Sequence, residues 1–147
     1  VATADMPVTT PIRVGLGAIR TGFEAFGELM TGQEGEFAVT VEIPEWATWD
    51  RVHRLIVFDI YFQPIALSDF FHVTDAEGLV HREGRMRRTS SMCADFEDAE
   101  GLSYALTQVP DGDFDPEARM IVEGRIVDGA ACGNELGIEV VSLRTRT

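Results

Sequence analysis

Apolar and polar residues alternate along most of this 147-residue chain, and a period of two predicts strands rather than helices. In segment 36–43, for example, the apolar residues at 37, 39, 41 and 43 would share one face. No segment longer than ten residues has the i, i+3, i+4, i+7 stripe of an amphipathic helix. The pattern predicts eight strands, over Ile12–Arg20, Glu36–Ile43, Val52–Phe62, Phe70–Thr74, Leu79–Arg82, Leu102–Gln108, Arg119–Val127 and Leu136–Leu143.

Turn signals between these short strands are typical of a β-sandwich. Thr74–Gly78 and the sequence that starts at Pro110 predict turns, with Gly78 free to take a positive φ. Leu55–Phe62 is apolar on both faces except at Asp59, which indicates a strand covered on both sides or one that faces a partner. We therefore expect a single all-β sandwich domain of about eight strands over residues 12–147, after a flexible N-terminal tail over residues 1–11.

Charge and cysteine content narrow the possible partners and compartment. The chain has 12 basic residues, all of them arginine, against 25 acidic ones, and its net charge is −13. This excess repels nucleic-acid phosphates and anionic lipids, so nucleic acid is not an expected partner. Cys93 and Cys132 lack a metal-type spacing. A disulfide between them would favour an extracytoplasmic location, whereas two buried thiols in a cytosolic protein are the alternative.

The ends of the chain and its apolar runs bear on membrane attachment. No run approaches the roughly 20 apolar residues of a transmembrane helix. The segment Val1–Pro11 is rich in Thr, Ala and Pro and begins without methionine. It is read as the remainder after removal of a signal peptide, an upstream lipid anchor or a tag, or as the result of trimming.

Several segments occur in an order that resembles a known family. They are Phe26–Leu29, Phe37–Pro44, Arg54–Phe62, Asp69–Gly78 and Phe114–Val127. Together they resemble the DUF4352 group, immunoglobulin-like domains of secreted bacterial lipoproteins, many of them actinobacterial, and the MPT63-type extracellular sandwiches. The chain departs from the family pattern at Gln63–Pro64 and at Asp115–Glu117. The resemblance implies an immunoglobulin-like antiparallel β-sandwich outside the cytoplasm, with no catalytic residues to carry over.

Motifs of catalysis are absent from the sequence. There is no GxSxG nucleophile elbow, and Gly15-Leu-Gly17 lacks the further glycine of a dinucleotide loop. We expect no enzyme activity and no cofactor, while a hydrolase built on dispersed residues stays open.

Two groups of residues are candidate metal ligands. Asp111, Asp113 and Asp115 match the first half of a Ca²⁺ loop, although Pro116 replaces the glycine of an EF-hand and a solvated acidic turn explains them too. His72 and His81 are predicted to lie opposite each other across the turn, where they could share Zn²⁺ or Cu²⁺. His53 or a carboxylate would be the third ligand, and an ordinary hairpin pair is the alternative.

Two further groups are candidate partner-binding residues. The basic cluster, predicted to lie in the loop after the hairpin, consists of Arg82, Arg85, Arg87 and Arg88. Its guanidinium forks suit carboxylates or phosphates, unless downstream acidic residues neutralise them. Trp46 and Trp49 lie in a connection, where they are either interface anchors or a lid on the core.

The sequence therefore predicts a non-catalytic extracytoplasmic domain, secreted or anchored at the cell envelope, that binds a protein partner as an accessory subunit. A secreted sandwich that binds a metal or a small ligand is the alternative.

Overall fold

The structure, a computed structural model, describes residues 2–3, 6–18 and 21–147, with the side chains of residues 2 and 3 left out. Within these ranges the fold is all-β, as predicted, with twelve strands, no α-helix and one short 3₁₀ helix at Ala130–Cys132. The chain forms two compact units, the first of Val1–Ala47 with Val52–His72 and the second of Thr48–Arg51 with Val73–Thr147. The single domain over residues 12–147 stays a prediction.

The first unit is built on an open antiparallel sheet. Its strands are β1 (Ala2–Thr3), β2 (Pro11–Ala18), β3 (Phe23–Met30), β4 (Phe37–Ala38), β5 (Val52–Phe58), β6 (Pro64–Leu67) and β7 (Phe71–His72). Strands β3, β2, β5 and β6 pair in that order, and β7 also pairs with β5. Strand β1 pairs with β4. Strand β1 lies in the predicted flexible tail over residues 1–11, of which residues 1, 4 and 5 lie outside the described ranges.

One face of this sheet is a small core. Ile12 and Val14 of β2 pack against Phe37 and Val57. The predicted strand Glu36–Ile43 is strand only at Phe37–Ala38, although the following residues still cover this core. The predicted strand over 12–20 ends at Ala18 within the described residues, since 19 and 20 lie outside them.

The second unit is a closed five-stranded barrel rather than two sheets packed face to face. Its strands are β8 (Val80–Arg88), β9 (Ala94–Asp98), β10 (Ser103–Thr107), β11 (Met120–Asp128) and β12 (Leu136–Thr145). The order around the barrel is β10-β12-β11-β8-β9. Only the β10–β12 pair is parallel. This is the Greek-key connectivity of OB-type barrels, and it differs from the expected eight-strand sandwich.

Gly84 lies where β8 changes partner. Residues 80–84 pair with β11, and residues 84–88 pair with β9. A Cβ atom at Gly84 would lie 2.1 Å from the backbone oxygen of Glu97. The barrel can close at this point because the residue has no side chain.

The predicted disulfide is present. Cys93, before β9, is bonded to Cys132, in the 3₁₀ helix between β11 and β12; the two are 39 positions apart in sequence, with a Cα–Cα distance of 5.5 Å. The bond therefore ties the β8–β9 connection to the β11–β12 connection. Among the described residues, no helix is both long enough and apolar enough to span a bilayer.

Candidate functional site

Arg82 lies inside the barrel and not in a loop, because the predicted basic cluster falls on strand β8. Its side chain is 4% exposed. Its Nε donates to the Asp98 carboxylate at 3.0 Å, its Nη2 to the same carboxylate and to Glu100 at 2.9 Å, and its Nη1 to the Asp50 carbonyl at 2.8 Å. The Arg82 guanidinium is thus buried, and its hydrogen-bond acceptors lie in its own unit; its role in partner binding stays a prediction.

The other three arginines of the cluster have partners within their own unit, and Arg85 and Arg87 are exposed whereas Arg88 is half-buried. Arg87 pairs with Asp95 at 2.9 Å across the β8–β9 ladder, and Arg85 lies 3.9 Å from Glu117. Arg88 donates to three backbone carbonyls and lies over the ring of Phe114. Such pairs neutralise the cluster, and its role in partner binding stays a prediction.

The hairpin that was predicted to bring His72 and His81 together is not formed. The turn itself is confirmed, with φ of +76° at Gly78 and a hydrogen bond from the Asp75 amide to the Leu79 carbonyl. However, β7 pairs with β5 and β8 pairs with β11, so His72 and His81 lie on strands of different units. Their shared metal site stays a prediction. Strand β7 belongs to the open sheet of the first unit and strand β8 to the barrel of the second, so each strand pairs within its own unit.

His81 lies between two carboxylates. Its Nε2 is 3.0 Å from Asp75 and its Nδ1 is 3.3 Å from Glu123 on the neighbouring strand. The hydrogen bond with His81, followed by that from the Leu79 amide, lowers the pKa of Asp75. The two carboxylates contact opposite sides of the ring, so they do not converge with it on one ion.

The described residues contain no group of three or more His, Cys, Asp or Glu side chains arranged to hold a metal ion. Such a group is therefore not formed by the acidic turn at Asp111, Asp113 and Asp115, where the Asp115 carboxylate accepts a hydrogen bond from the Glu117 amide at 2.9 Å. It is not formed around His53 either, which is fully buried in β5.

The two tryptophans of the connection fall in different units and are both partly exposed. Trp46, 41% exposed, donates its Nε1 to Glu24 and lies with its ring 6.0 Å from that of His53. The ring of Trp49, 44% exposed, is 5.9 Å from that of His81. Each ring therefore partly covers a histidine and partly faces solvent.

A site that the sequence reading did not single out lies on the other face of the first-unit sheet. Gly15 and Gly17 of β2 alternate with its buried apolar residues and carry no side chain. The rings of Phe58 and Phe23 lie over Gly15, and the Cβ of Phe23 lies beside Gly17. The rings of Phe23 and Phe58 are 4.3 Å apart, and a Cβ atom on Gly15 would approach Phe58 to 3.0 Å. We call this surface the aromatic face, and it consists of Phe23, Phe58, Phe62, Phe70, Arg13 and Arg54.

The turn after β5 holds one of these rings in place. The Asp59 carboxylate accepts the amides of Tyr61 at 2.8 Å and Gln63 at 2.9 Å. Phe62 between them has φ of +59°, which is rare for a bulky residue. Its ring centroid is 6.1 Å from that of Phe58. A strained backbone, held by Asp59, therefore directs Phe62 onto the sheet.

Two arginines stack on the aromatic face. The guanidinium of Arg13 lies 4.4 Å from the centroid of Phe62, and that of Arg54 lies 4.0 Å from that of Phe70. Phe23, Phe62 and Phe70 nevertheless remain 45%, 43% and 40% exposed. Contiguous exposed rings of this kind mark interaction sites on folded proteins.

No protein-family model, no curated protein and no solved structure matches this chain.

Proposed function

We propose that this protein is a non-catalytic binding module that docks a protein partner on its aromatic face, working outside the cytoplasm as a secreted or envelope-anchored accessory subunit. The observation that carries the proposal is the exposure of Phe23, Phe62 and Phe70 on a sheet face that is preorganised by two glycines and by the Asp59 turn. The Cys93–Cys132 disulfide supports the compartment, because such bonds persist where the environment is oxidising. We also propose that the chain is a member of the immunoglobulin-like lipoprotein group, and the open antiparallel sheet of the first unit supports this.

The chemistry of the face suits a protein–protein interface. Aromatic and arginine side chains are the types enriched at the centre of such interfaces. Full burial of one large apolar side chain contributes about 1.5–3 kcal/mol. The rings of Phe23, Phe62 and Phe70 are roughly half exposed, and Tyr61 is 76% exposed. Covering these four rings with a partner would contribute on the order of 4 kcal/mol to the free energy of binding. The rings are already held in position, so little ordering entropy opposes binding.

Site-specific photocrosslinking in the cells that make the protein tests the proposal. A benzophenone amino acid replaces Tyr61, the most exposed ring beside the aromatic face. The matched control carries it at Val141 on β12, which is 53% exposed in the second unit. We expect one protein adduct from position 61, none from position 141, and loss of the adduct when Phe23→Ser and Phe62→Ser are added.

The captured protein is then purified and its affinity measured by calorimetry. Tyr61→Ser, a change at an exposed turn position, should weaken it at least about tenfold if the ring is a central contact, since hot-spot truncations cost roughly 2 kcal/mol or more. Ile126→Ser, in the second unit, should leave it unchanged. The same adducts at positions 61 and 141, or an affinity unaffected by both Tyr61→Ser and the double serine variant, would refute the docking surface.

A further inference from the structure

Arg54 is the one described cation of the first unit that has no ion-pair partner. It lies on β5 opposite Gly17, and its guanidinium stacks on Phe70. Its Nε is buried without a hydrogen-bond partner, and no carboxylate of the described residues lies within ion-pair distance of it. Arg13, on the same face, has Glu28 at 3.4 Å. An unpaired, partly desolvated guanidinium is costly, and an anion supplied by a ligand would relieve that cost.

The guanidinium lines an apolar cleft of about 260 Å³. The cleft is bounded by Gly17, Gly22, Phe23, Arg54, Ile56 and Phe70. A Cβ atom on Gly17 would lie 3.1 Å from the Gly22 carbonyl and 3.4 Å from the Cβ of Phe23, so the glycine keeps this space open. Its volume suits one apolar side chain, and Arg54 is its only cationic lining residue among those that the structure describes.

We propose that this cleft binds an apolar residue that bears a free carboxylate, as at the C-terminus of a partner chain. The inference rests on the proposed docking of a protein on the aromatic face and names the group that the face recognises. The apolar side chain would lie between Phe23 and Phe70, and the carboxylate would accept hydrogen bonds from Arg54. A planar guanidinium fixed by an aromatic ring is preorganised for bidentate binding of a carboxylate. The net charge of −13 repels anions elsewhere on the chain, so this local cation confers selectivity.

Two probes that differ only in the carboxylate test the proposal, namely N-acetylphenylalanine and N-acetylphenylalaninamide. Each is titrated into the ¹⁵N-labelled full chain while amide and arginine Nε–H resonances are followed. The acid should shift the Arg54 Nε–H signal and the amide signals of Gly17 and Gly22, and should bind about tenfold more tightly than the amide, the low end for hydrogen bonds to a charged group.

Variants identify the source of the preference. Arg54→Gln should abolish the preference for the acid, and Arg54→Lys, which keeps the charge without the fork, should retain only part of it. Arg13→Gln, the matched change at the stacked arginine that already has a carboxylate partner, should leave it intact. If Arg54→Gln does not fold, the comparison of Arg54→Lys with the wild type decides.

Three results would overturn the inference: equal affinity for the two probes, shifts centred on Arg13, or no shift of the cleft resonances by either probe. Any of these, combined with a persistent crosslink from position 61, would remove the carboxylate site and leave the docking surface standing. If instead positions 61 and 141 gave the same adducts while the protein still bound the acid more tightly than the amide, the protein docking would be refuted and a site for small carboxylates would remain.

Discussion

The interior ion pair of the barrel makes a quantitative prediction about Asp98. One carboxylate oxygen accepts from Arg82 at Nε and Nη2 and from the Tyr104 hydroxyl at 3.2 Å, while the other accepts the backbone amides of Glu100 and Leu102 at 2.9 Å each. Asp98→Asn keeps an oxygen for the two amides and removes the charge. Arg82 then retains only Glu100 and one backbone carbonyl.

Breaking a buried ion pair by removing one partner costs about 3–5 kcal/mol. Because Glu100 remains, we expect Asp98→Asn to lower the free energy of unfolding of the barrel by about 3 kcal/mol, the low end of that range. Arg82→Met alone leaves the carboxylate with hydroxyl and amide donors and should cost less. The combination of Asp98→Asn with Arg82→Met should be less destabilising than the sum of the two single changes by at least about 1.5 kcal/mol, because no buried charge is then left unpaired.

Urea unfolding with the disulfide intact measures these values. Trp49 reports on the second unit, and Trp46→Phe as the common background removes the fluorescence of the first. If Asp98→Asn costs less than about 1 kcal/mol, or if the two changes add within about 0.5 kcal/mol, the charges are screened as they are at a surface. The barrel interior would then not depend on this pair.

Three other properties of the barrel can be measured. Gly84→Ala should destabilise it by about 3 kcal/mol in the same urea assay, because overpacking against a backbone atom cannot be relieved by a side-chain rotation; a loss below about 0.5 kcal/mol would contradict the close approach. Burial, with a further contribution from the Asp98 charge, raises the pKa of Tyr104 in the folded barrel. The neutral Tyr104 hydroxyl therefore contributes its full stability below about pH 10, the pKa of tyrosine in the unfolded chain, and this contribution is lost as the pH rises further. In a Tyr61→Phe variant the absorbance at 295 nm should therefore stay flat until the barrel unfolds, and a rise near pH 10 in folded protein would refute this. Cys93→Ser with Cys132→Ser should cost about 3–4 kcal/mol by the chain-entropy account, and an unchanged urea midpoint would show that the bond contributes no stability.

Local features of the fold could be predicted from the sequence because they depend on neighbouring residues. The period of two gave the all-β class, and the short segment from Asp75 to Gly78 specified its turn, including the positive φ. The disulfide followed from the presence of two cysteines without metal spacing. None of these required knowledge of which strand pairs with which.

The barrel could not be predicted, because its strands carry polar residues at inward positions. Strand β8 directs Val80, Arg82, Gly84 and Met86 inward, so a charge and a glycine interrupt the apolar alternation, and the predicted strand extends only to Arg82. Strand β9 was missed in the same way, since Asp98 is buried and its outward residues are acidic. Pairing is also non-local, so that the turn before β8 was assigned to a hairpin that does not form.

The sequence predicted only part of the aromatic face. The segment Leu55–Phe62 is apolar on both faces except at Asp59, which leaves open a strand that meets a partner. The left-handed conformation of Phe62 and the packing of Phe58 and Phe23 over Gly15 have no local signature in the sequence.

Both units bury an arginine, which is unusual for a charged residue, but they do so in different ways. In the barrel, Arg82 is buried and its hydrogen bonds are satisfied by its own unit. In the sheet, Arg54 is partly buried among exposed rings, and its Nε has no hydrogen-bond partner among the described residues. Departures from the rule that are compensated internally serve stability, and those left uncompensated at an exposed apolar surface indicate a ligand. For this reason we expect Arg82 to serve the fold, whereas the proposed recognition depends on Arg54.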